Sequence, residues 1–182
     1  MKKELDVALC AKYPLIFRDR NADMQSTAMC WGFDCGDGWY NILDTLCGLL
    51  TSDYHQAKSR YESIKDKVNQ PRFNNSLTII TQAKIDEAKA ELDKETSNVP
   101  VATQIKEKFG GLRFYVDKAS DNHYNYISFA ETMSYCTCET CGAPGETYTD
   151  GWHKTLCSVH AKQEGKEETD AYLENAVGTS DA

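Results

Sequence analysis

The feature that most constrains the fold of this 182-residue chain is the segment CETCGAPGETYTDGWHKTLCSVH, which begins at residue 138. It contains a C-x2-C pair, fifteen intervening residues and a C-x2-H pair. Two close pairs of thiolate and imidazole ligands suit a tetrahedral ion, and four protein ligands fill its coordination shell. The spacing therefore predicts one structural Zn²⁺ held by Cys138, Cys141, Cys157 and His160.

The residues between the two pairs predict the local fold of residues 136–164. Gly142 suits a knuckle in which backbone amides turn toward the thiolates, and the segments ETYTD and WHKTL can pair as a hairpin. Cys157 and His160 are three residues apart, so they face the same way on the first turn of a helix. Knuckle, hairpin and helix in this order are typical of a treble-clef zinc finger.

The other cysteines are interpreted as reduced thiols. The N-terminal segment MKKELDVALCAKYP lacks the apolar stretch of a secretory signal, which favours a cytoplasmic protein whose thiols stay free. Cys136 could compete with the first ligand, but its spacing is poorer. Four further cysteines form no C-x2-C pair, and we interpret them as small core residues. A second metal site is the alternative. These residues are Cys10, Cys30, Cys35 and Cys47.

Apolar periodicity predicts helices in the first half of the chain. A short helix covers residues 2–13, and one amphipathic helix of about 30 residues starts at Trp39, with Asp37 as its N-cap. A second long helix starts near Ser76 and ends before Pro100. The two long helices predict an antiparallel helical hairpin.

The second half of the chain predicts strands and a further helix. Residues 99–105 suit either a strand or a short helix, Leu112–Val116 alternates as a strand does, and Asp121 caps a helix over 122–135. The predicted fold class is α+β. Its parts are a small mixed domain (1–52 and 99–135), a helical hairpin insertion (53–98), a zinc module (136–164) and an acidic, partly disordered tail (165–182).

Two segments predict a binding surface. In KEKFGGLRFY, cations and aromatic residues surround a glycine pair, which suits an anionic ligand such as a nucleotide, while the alternative is a tight turn entering a strand. The aromatic loop precedes the long helix and has two arginines nearby. It either lines the same pocket or packs against the base of that helix. The candidate ligand-binding residues are Arg18, Arg20, Trp31, Trp39, Tyr40, Lys106, Lys108, Gly110, Gly111, Arg113 and Tyr115.

Charge and motif content narrow the function classes. The net charge of −8 argues against broad nucleic-acid binding, and no stretch reaches the roughly 18 apolar residues of a membrane span. P-loop, HExxH and GxSxG motifs are absent, which favours a binding protein over an enzyme. A nucleophilic pair of Cys30 or Cys35 with His55 or His123 is a weak alternative.

Three stretches carry a resemblance to a known group: CWGFDCGDGWY, VATQIKEKFGGLRFY, and CETCG with GWHKTLCSVH. They resemble an uncharacterised family of small proteins encoded by bacteriophages and prophages, with a C-terminal treble-clef-like zinc finger. The resemblance covers residues 10–50 and 99–162 and implies a phage origin, a bacterial host cytoplasm and a hairpin of variable length. Phage accessory proteins of this size often inhibit host processes, including defence that uses nucleotide signals.

Two main functions follow as hypotheses. The first is an anti-defence binding protein that captures an anionic small ligand, such as a nucleotide signal, without catalysis. The second is an inhibitor or adaptor that engages a host protein through the helical hairpin. A nucleic-acid-binding regulator and a nucleotide-degrading enzyme are lesser alternatives, and a homo-oligomer stays open.

Overall fold

The computed structural model describes residues 1–25, 27–69 and 82–166. It combines helices with two small sheets, which agrees with the predicted α+β class. The helices are α1 (Lys3–Lys12), α2 (Tyr40–Leu50), α3 (Ser52–Asn69), α4 (Gln82–Asn98), α5 (Asp121–Ser134) and α6 (Ser158–Gln163). The strands are β1 (Phe33–Asp34), β2 (Ala102–Lys108), β3 (Gly111–Val116), β4 (Glu146–Tyr148) and β5 (Lys154–Leu156), and two short 3-10 helices cover Ala28–Trp31 and Asp37–Trp39.

The first sheet has the order β1-β2-β3 and forms one wall of the main core. β1 runs parallel to β2, and β2 pairs antiparallel with β3. Successive side chains of a strand point to opposite faces, and the buried positions of the inward face are apolar. Ile105, Leu112 and Phe114 are buried on this inner face, packed with residues of α1, α2 and α5. The opposite, outer face carries the polar positions of β2 and β3.

Helix α5 covers the free edge of β3. The backbone N–H of Leu112 donates to Ser134 Oγ at 2.8 Å, and that of Phe114 donates to Glu131 Oε1 at 2.9 Å. An edge strand otherwise presents unpaired N–H groups to solvent. Side chains of α5 therefore accept two of the N–H groups at this edge.

The prediction of one long helix from Trp39 is wrong, because the helix breaks at Thr51. Thr51 is buried, and its hydroxyl donates to Cys47 O at 2.8 Å. A threonine that bonds back to the preceding turn competes with the helical ladder and bends the axis. The apolar period continues from α2 into α3 across the break. The sequence pattern is therefore continuous, although the two helices are separate.

Two predicted N-caps are also corrected. Asp37 does not cap α2, because its carboxylate accepts the backbone N–H of Lys2 at 2.7 Å and a 3-10 helix precedes α2. The cap of α5 is Ser120, whose Oγ accepts the N–H of His123 at 3.2 Å. The predicted strand at Leu112–Val116 is confirmed as most of β3. Of the two options for 99–105, the strand is correct from Ala102 onward, and residues 99–101 lie outside it.

Helices α3 and α4 pack against each other through small side chains. Ala57 and Ala88 are buried, and Arg60 forms an ion pair with Glu91 at 2.6 Å. The predicted helix start at Ser76 and most of the acidic tail lie outside the described residues. Within the described ranges, no helix is both long and apolar enough to cross a bilayer.

Candidate functional site

Four side chains from the predicted metal segment converge at one point. One ligand atom from each of Cys138, Cys141, Cys157 and His160 lies within 4.8 Å of the other three. Cys141 Sγ and Cys157 Sγ are 3.9 Å apart, and His160 Nδ1 lies 3.6 Å from Cys138 Sγ and 3.2 Å from Cys157 Sγ. The four residues chosen from sequence spacing therefore form a cluster that could hold a metal ion.

The separations in the cluster fit tetrahedral coordination. With metal–sulfur bonds of about 2.3 Å and metal–nitrogen bonds of about 2.1 Å, two sulfurs lie about 3.8 Å apart and a sulfur lies about 3.6 Å from a nitrogen. Two of the three separations differ from these values by about 0.1 Å or less, and the third is shorter. These three separations are close to those of a tetrahedral site, and all four ligand atoms lie within 4.8 Å of one another.

Backbone amides favour the thiolate form of two ligands. Burial acts to raise the pKa of Cys138, but N–H groups of Cys157 and Cys141 donate to its sulfur and bring the pKa below that of a free thiol. The backbone N–H of His160 is the main cause that lowers the pKa of Cys157. The thiolate is the form that ligates a metal.

The local folds predicted around the cluster are confirmed in their secondary structure. β4 and β5 pair antiparallel with Thr147 opposite Thr155. Cys157 is the N-cap residue of α6 and His160 lies in its first turn. At the first pair, Gly142 has a φ of 78° and its N–H donates to Cys138 O at 2.8 Å. A left-handed residue here lets the chain turn back tightly just after the second ligand.

The first ligand pair is docked on the loop before α2. The N–H of Gly38 donates to Glu139 O at 2.7 Å, and the N–H of Gly36 donates to the Glu139 carboxylate at 2.8 Å. Trp39 is fully buried, and its indole N–H donates to Thr137 O at 2.9 Å. The metal segment is therefore joined to the main core by hydrogen bonds on both sides of Cys138.

A second contact joins the metal segment to the turn between β2 and β3. The hydroxyl of Thr155 is buried and donates to Gly110 O at 2.6 Å. Thr147 Oγ1 lies 2.8 Å from the same hydroxyl, and Gly111 packs on the ring of Tyr135. The two glycines serve close packing here, and the N–H of Gly110 already donates to Glu107 at 2.6 Å.

We expect the variant Thr155→Val to lower the free energy of unfolding by about 1–3 kcal/mol. It keeps the shape of the side chain but leaves the buried carbonyl of Gly110 without its donor. Urea unfolding followed by circular dichroism measures the change. Thr132→Val is the matched control, because Thr132 is exposed and bonds only within α5. A similar, small loss in both variants would contradict this role of Thr155.

The outer face of the β2–β3 hairpin gathers three of the predicted cations. Lys106 and Arg113 are direct cross-strand partners, and Lys108 lies on the same face one step toward the turn. Each cation lies over an aromatic ring, and the three ring–cation distances are close to one another. They are 5.4 Å from Lys106 Nζ to Tyr115, 5.2 Å from Lys108 Nζ to Phe109 and 5.7 Å from Arg113 Cζ to Tyr135.

These cations have no carboxylate within ion-pair distance in the described ranges, but acidic neighbours are present. None of the three forms an ion pair there, although Asp34 of β1 is in register with Lys106. The pKa of Arg113 is raised mainly by its hydrogen bond to Tyr135 and also by the charge of Glu131. Arg113 donates to Tyr135 Oη at 2.7 Å and to Leu112 O at 2.7 Å. Like charges directly opposite each other in a sheet are destabilising. The face is thus a local excess of positive charge on an acidic chain.

The remaining candidate residues lie in other surroundings. Arg18 donates to Leu15 O and Val99 O, and Arg20 pairs with Asp6 at 2.9 Å. Trp39 belongs to the core, so it cannot wall a surface pocket. Two further aromatic residues of the loop are Trp31, which is 73% exposed, and Tyr40, which packs partly buried against the main core.

The other cysteines do not add a second cluster among the described residues. All eight cysteines are free of disulfide bonds, and Cys136 is exposed outside the cluster. Burial raises the pKa of Cys10 to about 11 and that of Cys35 to about 12, and it raises the pKa of Cys47 well above its usual value. These thiols are therefore protonated at neutral pH and behave as packing residues.

A cleft of about 500 Å³ lies beside the metal segment. Trp152 and His153 line it, and burial raises the pKa of Glu139 at its wall. The carboxylates of the cleft would repel an anion, whereas the cations of the outer face would attract one. The acidic residues lining the cleft are Asp34, Asp37, Glu107, Glu139 and Glu164.

The contacts that position the metal segment were not found by sequence reasoning. The sequence predicts only an aromatic loop around Gly36 and Gly38, and it predicts Thr155 only as one position of a hairpin. The available signal was the spacing G-D-G before a helix, since two glycines around an acidic residue are typical of close backbone approach. Their partners lie about a hundred residues further along the chain, and spacing alone does not identify them.

Comparison with known proteins adds no assignment to this geometry. No protein-family model matches the chain, and no curated protein or solved structure matches it significantly. The function must therefore be inferred from the chemistry of the cluster and of the basic face.

Proposed function

We propose that the protein is a non-catalytic binding protein that captures an anionic small ligand, such as a nucleotide, on the outer face of the β2–β3 hairpin. The observation that supports this is the cross-strand pair of Lys106 and Arg113, which forms no ion pair in the described part of the chain. A bound anion would remove the repulsion between the two cations. Aromatic rings beside them provide faces for a base.

The metal in this proposal is zinc with a structural role. Three thiolates and one imidazole in tetrahedral spacing are the ligand set of structural zinc sites. We propose a treble-clef arrangement for residues 136–164, and the order of knuckle, β4–β5 hairpin and α6 supports it. Because Thr155 contacts the hairpin turn, the metal module would also hold the ligand-binding face in place.

The test is isothermal titration calorimetry with adenosine triphosphate and with inorganic tripolyphosphate. We expect the double variant Lys106→Gln/Arg113→Gln to bind both anions about tenfold or more weakly than the wild type, since each charge-assisted contact contributes more than a neutral one. Affinity should also fall with added salt.

A matched control removes the same charge elsewhere. Lys58 and Lys65 of α3 lie over the rings of Tyr54 and Tyr61, at 5.9 Å and 6.0 Å. The variant Lys58→Gln/Lys65→Gln therefore loses two cations from cation–π pairs without touching the sheet. Equal affinities of the two double variants would exclude the outer face as the anion site.

The setting and the second hypothesis remain predictions. A phage origin and a host cytoplasm come from the resemblance alone, and sequestration of a nucleotide defence signal would suit them. Capture of a host protein by a helical hairpin built from α3 and α4 is the alternative. Their described residues expose no large apolar side chain, so such an interface would have to be polar.

A further inference from the structure

Phe109, at the turn between β2 and β3, combines two properties that packing does not explain. Its φ is 56°, the one positive value for a residue other than glycine in the described ranges. Bulky side chains rarely adopt this conformation. The ring is nevertheless 62% exposed, so no burial compensates for the backbone strain. The two-residue turn that joins Lys108 to Gly111 requires positive φ at both central residues, Phe109 and Gly110, so the turn explains the backbone shape. It does not explain why a large apolar side chain stands exposed there, where asparagine or glycine is usual.

The position of the ring extends the basic face toward the turn. Lys108 Nζ lies 5.2 Å from the centre of the Phe109 ring, and the His153 ring meets it edge-on at 6.2 Å. At the far end of the face, Tyr115 is 42% exposed beneath Lys106. The two ring–cation pairs thus occupy opposite ends of one surface.

The length of this surface restricts the ligand. Tyr115 lies four residues along β3 from Gly111, which is about 13 Å at the rise of an antiparallel strand. Phe109 lies beyond Gly111, so a single base cannot stack on both rings. Arg113 lies between the two ends. A ligand that uses the whole face needs at least two bases with negative charge between them.

We propose that the ligand is a chain of two or more nucleotides joined by phosphodiester bonds, with one base on Tyr115 and another on Phe109. This inference rests on the proposed function of the outer face. Lys106, Lys108 and Arg113 contact the phosphates, and the rings accept bases without regard to sequence. The source is either a free dinucleotide or a single-stranded nucleic acid.

Binding of adenylates of increasing length tests the inference. The probes are adenosine monophosphate and linear adenylates of two, four and eight nucleotides, with tripolyphosphate as an anion that lacks a base. We expect affinity to rise about tenfold from one nucleotide to two, because a second stacked base is added. A plateau at two nucleotides identifies a free dinucleotide, and a rise continuing to eight identifies a strand.

The variant Phe109→Asn should remove this rise. Asparagine tolerates positive φ, so the turn keeps its shape while the ring is lost. Tripolyphosphate and the mononucleotide should bind the variant as they bind the wild type. Tyr124→Ala is the control, since Tyr124 is 51% exposed and precedes Tyr135 by eleven residues, about 16 Å along α5.

The outcomes separate this inference from the function on which it rests. If tripolyphosphate and all adenylates fail to bind, the proposed anion site is wrong and the inference fails with it. If anions bind but affinity is independent of length, or if Phe109→Asn keeps the full rise, the anion site stands and the dinucleotide class is wrong.

Discussion

Removal of the proposed zinc should unfold residues 136–164 and loosen the loop before α2. The core of this segment is small, with Cys138, Tyr148, Leu156 and Ala161 as its buried members. Structural zinc contributes about 10–16 kcal/mol in small peptides at neutral pH, far more than so few buried side chains can supply. Hydrogen–deuterium exchange before and after chelation measures the effect. Amides of this segment should lose protection, while those of α2 keep most of theirs.

Two cysteine variants make the same test without a chelator. Cys157→Ser removes a ligand, so native mass spectrometry should detect no bound ion. Cys136→Ser is the matched control, because Cys136 is exposed and donates only to Met133 O. It should retain one ion per chain and wild-type protection. Full amide protection in metal-free Cys157→Ser would show that the cluster is not the support of this segment.

Gly38→Ala should destabilise the protein by about 3 kcal/mol or more and weaken metal binding. A Cβ at Gly38 would lie closer than 3.0 Å to three backbone atoms, namely Cys138 O, Gly142 N and Cys141 N. Backbone cannot rotate away as a side chain can, so either the loop or the first ligand pair must move. Urea unfolding and competition with a zinc chelator measure the two effects.

Gly48→Ala provides a control with the opposite sign. Gly48 lies within α2, where an added Cβ meets only Tyr13 Oη at 3.6 Å. Alanine in a helix interior is favoured over glycine by about 0.5–1 kcal/mol, so this variant should be slightly more stable. Equal stability and equal metal affinity of Gly38→Ala and Gly48→Ala would refute the close docking of the first ligand pair.

Sequence reasoning succeeded where the signal is local. The four clustered ligands follow from spacing, and the β4–β5 pairing follows from two short polar-apolar segments joined by a glycine turn. The strand at Leu112–Val116 follows from alternation. In each case the deciding residues are neighbours in the chain, so periodicity and ligand spacing are sufficient.

Sequence reasoning failed where the deciding contact joins residues far apart in the chain or is a single hydrogen bond. The break at Thr51 depends on one hydroxyl bonding back to Cys47, which the continuous apolar period conceals. The cap of α5 differs from the prediction by one residue, since Ser120 and Asp121 are both good caps. The register of Lys106 with Arg113 depends on the turn at Gly110, whose length the sequence suggests but does not prove.

The closed edge of β3 limits how copies of this chain can associate. Glu131 and Ser134 already accept the outward N–H groups of Phe114 and Leu112, so an added strand would find these two donors occupied. The opposite edge is β1, with only two residues. Sheet extension from one molecule to the next, the usual first step toward fibrils, therefore has no long template in this sheet. An assembly would have to form through helices or through side chains instead.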